Sequence, residues 1–169
     1  MVIPSLVKLR KKFERISQMP KVVVSDTSCL IILTKVDKLD LLRKIYSEVV
    51  TTPEVKSEYG NDFPKWIKVV AVTNTSLQKE LELKIDLGES SAIALSLEIP
   101  DCVLILDDLK ARKMAKSMEI NFTGTLGVLV KAKSLSLISA VKPVLEEMQR
   151  SGLRFSSEIT NEILNQAGE

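Results

Sequence analysis

Five carboxylates, Asp26, Glu58, Glu89, Asp107 and Asp108, fall where the hydrophobic pattern of the chain changes, and the 169 residues include no histidine. The missing imidazole removes Ser-His and Cys-His triads, His-based acid-base catalysis and His-ligated zinc together. Any catalysis must therefore rest on carboxylates, lysine, hydroxyls or a metal held by oxygen. Asp26 ends the apolar run KVVVS, and the Asp107-Asp108 pair ends DCVLIL. Both runs read as strands buried on two faces, and ligands of open α/β sheets bind outside the carboxyl ends of such strands. Glu58 lies in a segment opened by Pro53, and Glu89 precedes an apolar helical run, so both are expected in the first turns of helices facing the same edge. Singly, each acid has an ordinary explanation. Asp26 suits a helix N-cap, Glu54 and Glu58 at a spacing of four suit a solvent face, and Glu89 suits a helix dipole. Converging, they would repel one another and need protonation, dispersal or a cation. Oxygen donors select Mg²⁺ or Mn²⁺, and such an ion with a substrate phosphate suits phosphodiester hydrolysis.

The elements that must position these acids can be read from periodicity. Val22 to Val24 is the first strand, followed by a short buried helix (SCLIILTKV) and a second over Leu39 to Glu48. Val49 to Thr52 is the second strand, and Pro53 opens the helix carrying Glu54 and Glu58. Trp66 to Val72 is a third strand, placed nearer an edge because Lys68 interrupts it, and Thr75 to Ile85 is a polar helix. The helix after Glu89 leads to the fourth strand, Asp101 to Leu106, and the helix LKARKMAKSM then sets Lys110, Arg112, Lys113 and Lys116 beside the strand end. Ile120 to Phe122 is a fifth short strand, TGTLGVLVKAKSL a further buried helix, and residues 143–150 and 156–167 two terminal amphipathic helices. Alternating helices and short buried strands predict an α/β fold, a three-layer sandwich with a mainly parallel central sheet. Right-handed crossovers would put the strand ends, and so the acids, on one edge.

The totals suit one domain that buries about two thirds of its unfolded surface. Hydrophobic residues make up 45%, charged residues 27%, and the net charge is +2, which permits a polyanionic partner without requiring one. No apolar run is long enough to span a bilayer and no signal-peptide pattern opens the chain, so a cytoplasmic protein is expected. Cys29 and Cys102 sit in apolar surroundings and suit two reduced, buried thiols. Residues 1–20 form a separate feature, an amphipathic helix extension with Leu6, Leu9, Phe13 and Ile16 on one face and Lys8, Arg10, Lys11, Lys12 and Arg15 on the other. Met1 and Met19 are both candidate starts, and the main domain is expected over residues 21–169.

DTSCLIIL, LDLLRKIYSEVVTTPEVKSE, LGESSAIALSLE, LILDDLKARKMAK and FTGTLGVLVKAKSLSLI together carry a resemblance that covers residues 22 to 166. In this order they resemble the PIN-domain proteins, the nuclease fold of VapC-type toxins of toxin-antitoxin modules, and more narrowly a branch long labelled a domain of unknown function. The resemblance implies an Mg²⁺- or Mn²⁺-dependent ribonuclease whose four acids fall on Asp26, Glu58, Glu89 and Asp108, with Asp107 as the alternative fourth acid. It also implies Ser28 as a polar neighbour of the metal, Arg112 near a phosphate, an RNA substrate, a homodimer and a small antitoxin partner. Lys110, Arg112, Lys113 and Lys116, on the helix that begins beside the proposed metal site, are the expected RNA-binding cations. Leu106 stands where many toxins have a threonine. A haloacid-dehalogenase-like phosphatase needs a second Asp at position 28, which is Ser, and a response-regulator receiver carries its acidic pair after the first strand. The remaining rival is a PIN-like domain retained as a protein- or RNA-binding module.

Overall fold

Val22–Ser25 (β1) and Cys102–Ile105 (β4) lie side by side at the middle of a five-stranded, all-parallel sheet in the order β3-β2-β1-β4-β5. The computed structural model describes residues 22–169, and the amphipathic extension expected over residues 1–20 lies outside them. Glu48–Thr51 (β2) pairs with β1, Ile67–Val69 (β3) with β2, and Phe122–Thr123 (β5) with β4. The nine helices of the described residues are Thr27–Lys35 (α1), Leu41–Ile45 (α2), Pro53–Tyr59 (α3), Thr75–Glu82 (α4), Leu87–Glu98 (α5), Leu109–Ser117 (α6), Thr125–Ser134 (α7), Lys142–Arg150 (α8) and Ser157–Ala167 (α9).

Alternation along the strands divides the core into two layers. Val23, Val49, Val103 and Ile105 face Leu30 and Leu33 of α1, Leu42 of α2, Leu129 of α7 and Met148 of α8. Val24, Val50 and Leu104 face Leu81 of α4, Ile93 and Leu95 of α5, and Ala111 and Ala115 of α6. Both faces of the sheet are covered, which is why the strands read as unbroken apolar runs instead of alternating ones. Cys29 and Cys102 are buried, unpaired and in different layers.

Two elements are about half as long as the sequence pattern predicts. The helix expected over Leu39 to Glu48 is confined to Leu41–Ile45, because Glu48 already pairs with Val22 in the sheet. The strand expected over Trp66 to Val72 keeps Ile67–Val69, because it lies at the sheet edge and its one partner, β2, ends at Thr51. Lys68 at that edge, ion-paired to Glu48 at 3.0 Å, is the charge that discourages pairing with another chain.

Candidate active site

The sheet is wound from β1 outward to β2 and β3, then crosses to β4 and β5, so the winding reverses between β1 and β4. In open α/β sheets the ligand crevice lies at such a reversal, outside the carboxyl ends of the strands. Asp26 follows β1 and Asp107 follows β4, and the ladder holds them in register. Ser25 is level with Ile105, and the Asp26 N–H donates to the Ile105 carbonyl at 3.3 Å.

Asp26 is 2% exposed. Its Oδ1 caps α1 by accepting from the Cys29 N–H at 3.0 Å, and its Oδ2 receives a long hydrogen bond, 3.4 Å, from the Asp107 N–H. The cap and the site therefore use different oxygens of one carboxylate. Burial first, and then the Asp107 carboxylate, push the Asp26 pKa up to about 7; the two backbone N–H groups oppose this and Glu89 adds to it. A carboxylate so placed is held in want of a positive partner.

Asp107 is bound from three directions. The Thr125 N–H donates to Oδ1 at 2.9 Å, the Thr125 hydroxyl donates to Oδ2, and the Arg112 Nη2 stands 3.7 Å from Oδ1. Thr125 opens α7, so Asp107 also faces the positive end of a helix dipole. Asp108 turns away. Its Oδ1 caps α6 through the N–H groups of Lys110 (2.7 Å) and Ala111 (2.8 Å), and the residue is exposed.

Glu58 belongs to the last turn of α3, not the first turn expected from Pro53, and its Oε2 accepts from the Thr27 hydroxyl of α1 at 2.7 Å. Glu54, four residues earlier, points elsewhere: its Oε1 accepts from Gln78 of α4 at 3.1 Å. The two glutamates thus do not act as one pair. Glu89 lies in the first turn of α5, and burial followed by the charges of Asp108, Asp86 and Glu58 raises its pKa. Glu58 reaches this group because residue 88 is glycine. A Cβ there would come within 2.5 Å of Glu58 Oε2 and 3.0 Å of Thr27 Oγ1.

Beneath the acids runs a buried belt of hydroxyls. Thr51 donates to the Ser25 carbonyl at 2.9 Å, and Thr52 and Ser91 share a hydrogen bond of 2.7 Å that ties the start of α3 to α5. Ser28 is exposed, and the hydroxyl that contacts an acid is Thr27. Lys110, Lys113 and Lys116 are exposed on α6, while Arg112 is half-buried, its Nε donating to the Leu106 carbonyl at 2.7 Å. Thr27, Thr125, Gly88 and Gly124 complete the site without having been singled out by sequence. Gly88 adjoins Glu89, and that adjacency was the available signal for it; Thr27, Gly124 and Thr125 had none.

The donor chemistry fits a hard divalent cation. Asp26, Glu58, Glu89 and the Asp107-Asp108 pair offer carboxylate oxygens, and among the described residues Arg112 makes the single salt bridge to any of them. Among the described residues no group of three or more acids or cysteines stands close enough together to hold a metal ion by itself. The strongest mutual repulsions are of Asp26 with Asp107 and of Glu89 with Asp108, and Glu89 also acts on Asp26. Mg²⁺ needs no more than one or two protein carboxylates, since it keeps several waters and takes substrate phosphate oxygens.

A family model described as a PIN domain matches residues 22–169. No curated protein and no solved structure matches the chain.

Proposed function

The chain belongs to the PIN-domain family, and on that premise we propose that it is an Mg²⁺- or Mn²⁺-dependent endoribonuclease, the toxin component of a toxin-antitoxin module. PIN domains are generally nucleases. The observation that supports the finer reading is the Asp26 carboxylate, at the reversal of the sheet beside Asp107, with its pKa pushed up to about 7 by burial and by the Asp107 charge. Asp26, with Glu89 and the Asp107-Asp108 pair, would hold the ion, and Glu58 would join them from α3. When bound, the ion activates a water and neutralises charge that develops on the phosphate, chemistry that needs neither histidine nor a 2′-hydroxyl nucleophile.

The residues of the chain divide the remaining work. Asp26 and Asp107 supply negative charge from the floor of the crevice, and Glu89 and Asp108 supply it from the rim. Lys110, Lys113 and Lys116 project from α6, the helix that begins at Asp108, and would draw the RNA backbone across that rim. Among the described residues no helix is long and apolar enough to cross a membrane; a cytoplasmic role on RNA is part of the proposal. A homodimer and a small antitoxin are the partners this reading expects, and sedimentation of the purified protein at tens of micromolar tests the dimer.

The deciding experiment incubates purified protein with RNA in Mn²⁺ or Mg²⁺ and in EDTA, with Asp26→Asn as control. Products carrying 5′-phosphate ends, lost in EDTA and in the variant, are expected. Products ending in 2′,3′-cyclic phosphate, or cleavage that survives EDTA, overturn the mechanism. RNA binding without metal-dependent cleavage would favour a binding module.

A further inference from the structure

Arg112 departs from the other cations of its helix. Lys110, Lys113 and Lys116 are exposed, whereas the Arg112 guanidinium turns inward, with Nε on the Leu106 carbonyl at 2.7 Å and Nη2 3.7 Å from Asp107. Thr125 holds the same carboxylate through its N–H, at 2.9 Å from Oδ1, and through its hydroxyl on Oδ2. We propose that Arg112 and Thr125 form a clamp that fixes the Asp107 carboxylate beside Asp26, and that Arg112 is a positioning residue of the metal site instead of a ligand of the RNA phosphate.

Gly124 supports this independently. Its backbone is extended, with φ −115° and ψ 174°, a conformation open to any residue. Conformation therefore does not demand glycine at this position, but space does. A Cβ at residue 124 would stand 1.8 Å from Arg112 Nη2 and 2.9 Å from Asp107 Oδ1. A phosphate-seeking arginine on an exposed helix face would need no such recess. The planar guanidinium suits the recess because it donates along two directions at once, to a carbonyl and toward a carboxylate, which a lysine cannot reproduce.

What the fixed carboxylate does depends on the nuclease reading above; that it is fixed does not. The full chain is compared with Arg112→Lys, Arg112→Ala, Thr125→Val, Thr125→Ser and Gly124→Ala. Mn²⁺ binding is followed by calorimetry, RNA binding in EDTA across a salt series, and unfolding in urea. The clamp expects Mn²⁺ affinity to fall about 10- to 100-fold in Arg112→Lys, Thr125→Val and Gly124→Ala, the range found when groups that orient a metal ligand are removed. Thr125→Ser keeps the hydroxyl and should bind like wild type. RNA affinity and its salt dependence should be unchanged in both Arg112 variants. Gly124→Ala is informative because it displaces the guanidinium without removing its charge.

Three results overturn the inference. One is an Arg112→Ala protein with weaker RNA binding, rescued by lysine, and a salt slope reduced by about 0.7, the value for one lost phosphate contact on a single strand. Another is Mn²⁺ affinity unchanged by all of these variants while wild type binds the ion. The third applies if wild type binds no Mn²⁺, which removes the nuclease reading; the clamp is then read on stability alone. In that case Arg112→Lys and Thr125→Val should be non-additive in urea, with the coupling abolished in Asp107→Asn, and simple additivity refutes the clamp.

Discussion

Asp26→Asn should change the pH dependence of stability in the metal-free protein more than it changes stability at any one pH. The folded protein holds Asp26 at about 7, against an ordinary value of 3.8. The folded state therefore binds this proton more tightly than the unfolded chain does. Its contribution to stability is fully present below 3.8 and is lost as pH rises through 7. At about 1.4 kcal/mol per pKa unit, the loss approaches about 4 kcal/mol once titration is complete, and more than half of it falls between pH 5 and pH 8. Asparagine is neutral throughout and can still accept the Cys29 N–H, so it keeps the helix cap. Its amide would face the Asp107 N–H, which now meets Asp26 Oδ2 at 3.4 Å, but that repulsion does not vary with pH.

The quantity to measure is consequently the gap between the variant and wild type in urea unfolding with EDTA, at pH 5 and at pH 8. It should widen by about 2 to 3 kcal/mol in favour of asparagine, or about 5 to 10 °C in melting temperature for a domain of this size. Mg²⁺ at ten times its dissociation constant should then return about 1.4 kcal/mol to wild type at pH 8 and little to the variant. A gap that stays constant between the two pH values would refute the reasoning. Asp26 would then be a solvated helix cap, for which asparagine substitutes about equally at every pH.

Changing Lys110, Lys113 and Lys116 together to Ala should leave the melting temperature nearly unchanged. If each meets one phosphate of single-stranded RNA, the slope of log affinity against log salt should fall by about 2, and an unchanged slope assigns these lysines to solvent. Gly88→Ala should separate stability from function. The added Cβ pushes Glu58 off Thr27, but an exposed carboxylate can swing aside and alanine gains about 1 kcal/mol of helix propensity, so unfolding should change little while metal-dependent cleavage falls. Full activity in that variant would remove Glu58 from the site. Glu169→Gln should lower the melting temperature at pH 7, since the Glu169 carboxylate accepts from Lys133 Nζ (2.7 Å) and from the N–H groups of Val141 (2.6 Å) and Lys142 (3.0 Å) at the start of α8. Lys133 first, and then the Val141 N–H, hold that carboxylate down at about 2. Its stabilisation is present above the ordinary value and is lost as pH falls through 2, so the difference from wild type should vanish in acid. A difference that persists there would trace the loss to packing.

What could be read in the sequence was what repeats along it. Buried parallel strands announce themselves as apolar runs, and the order of strands and helices leaves few ways to wind a parallel sheet, so the three layers and the edge carrying Asp26 and Asp107 were legible. Which side chain answers which was not, because the partners are remote in sequence: Thr27 and Glu58 are 31 residues apart, and Asp107 and Thr125 are 18 apart. The choice between Thr27 and Ser28 shows the scale of the difficulty. Both are hydroxyls in the first turn of α1, and a rotation of one residue about the helix axis sends Thr27 into the site and Ser28 into solvent. The Asp107-Asp108 pair poses the same question at the end of a strand. Past the end of β4, Asp107 turns to meet Thr125 while its neighbour Asp108, as the N-cap of α6, turns to that helix. Gly88 and Gly124 belong to the same class of information. Neither glycine is required by its place in the chain, and each is explained by a side chain, Glu58 or Arg112, that occupies the volume where its own Cβ would have been.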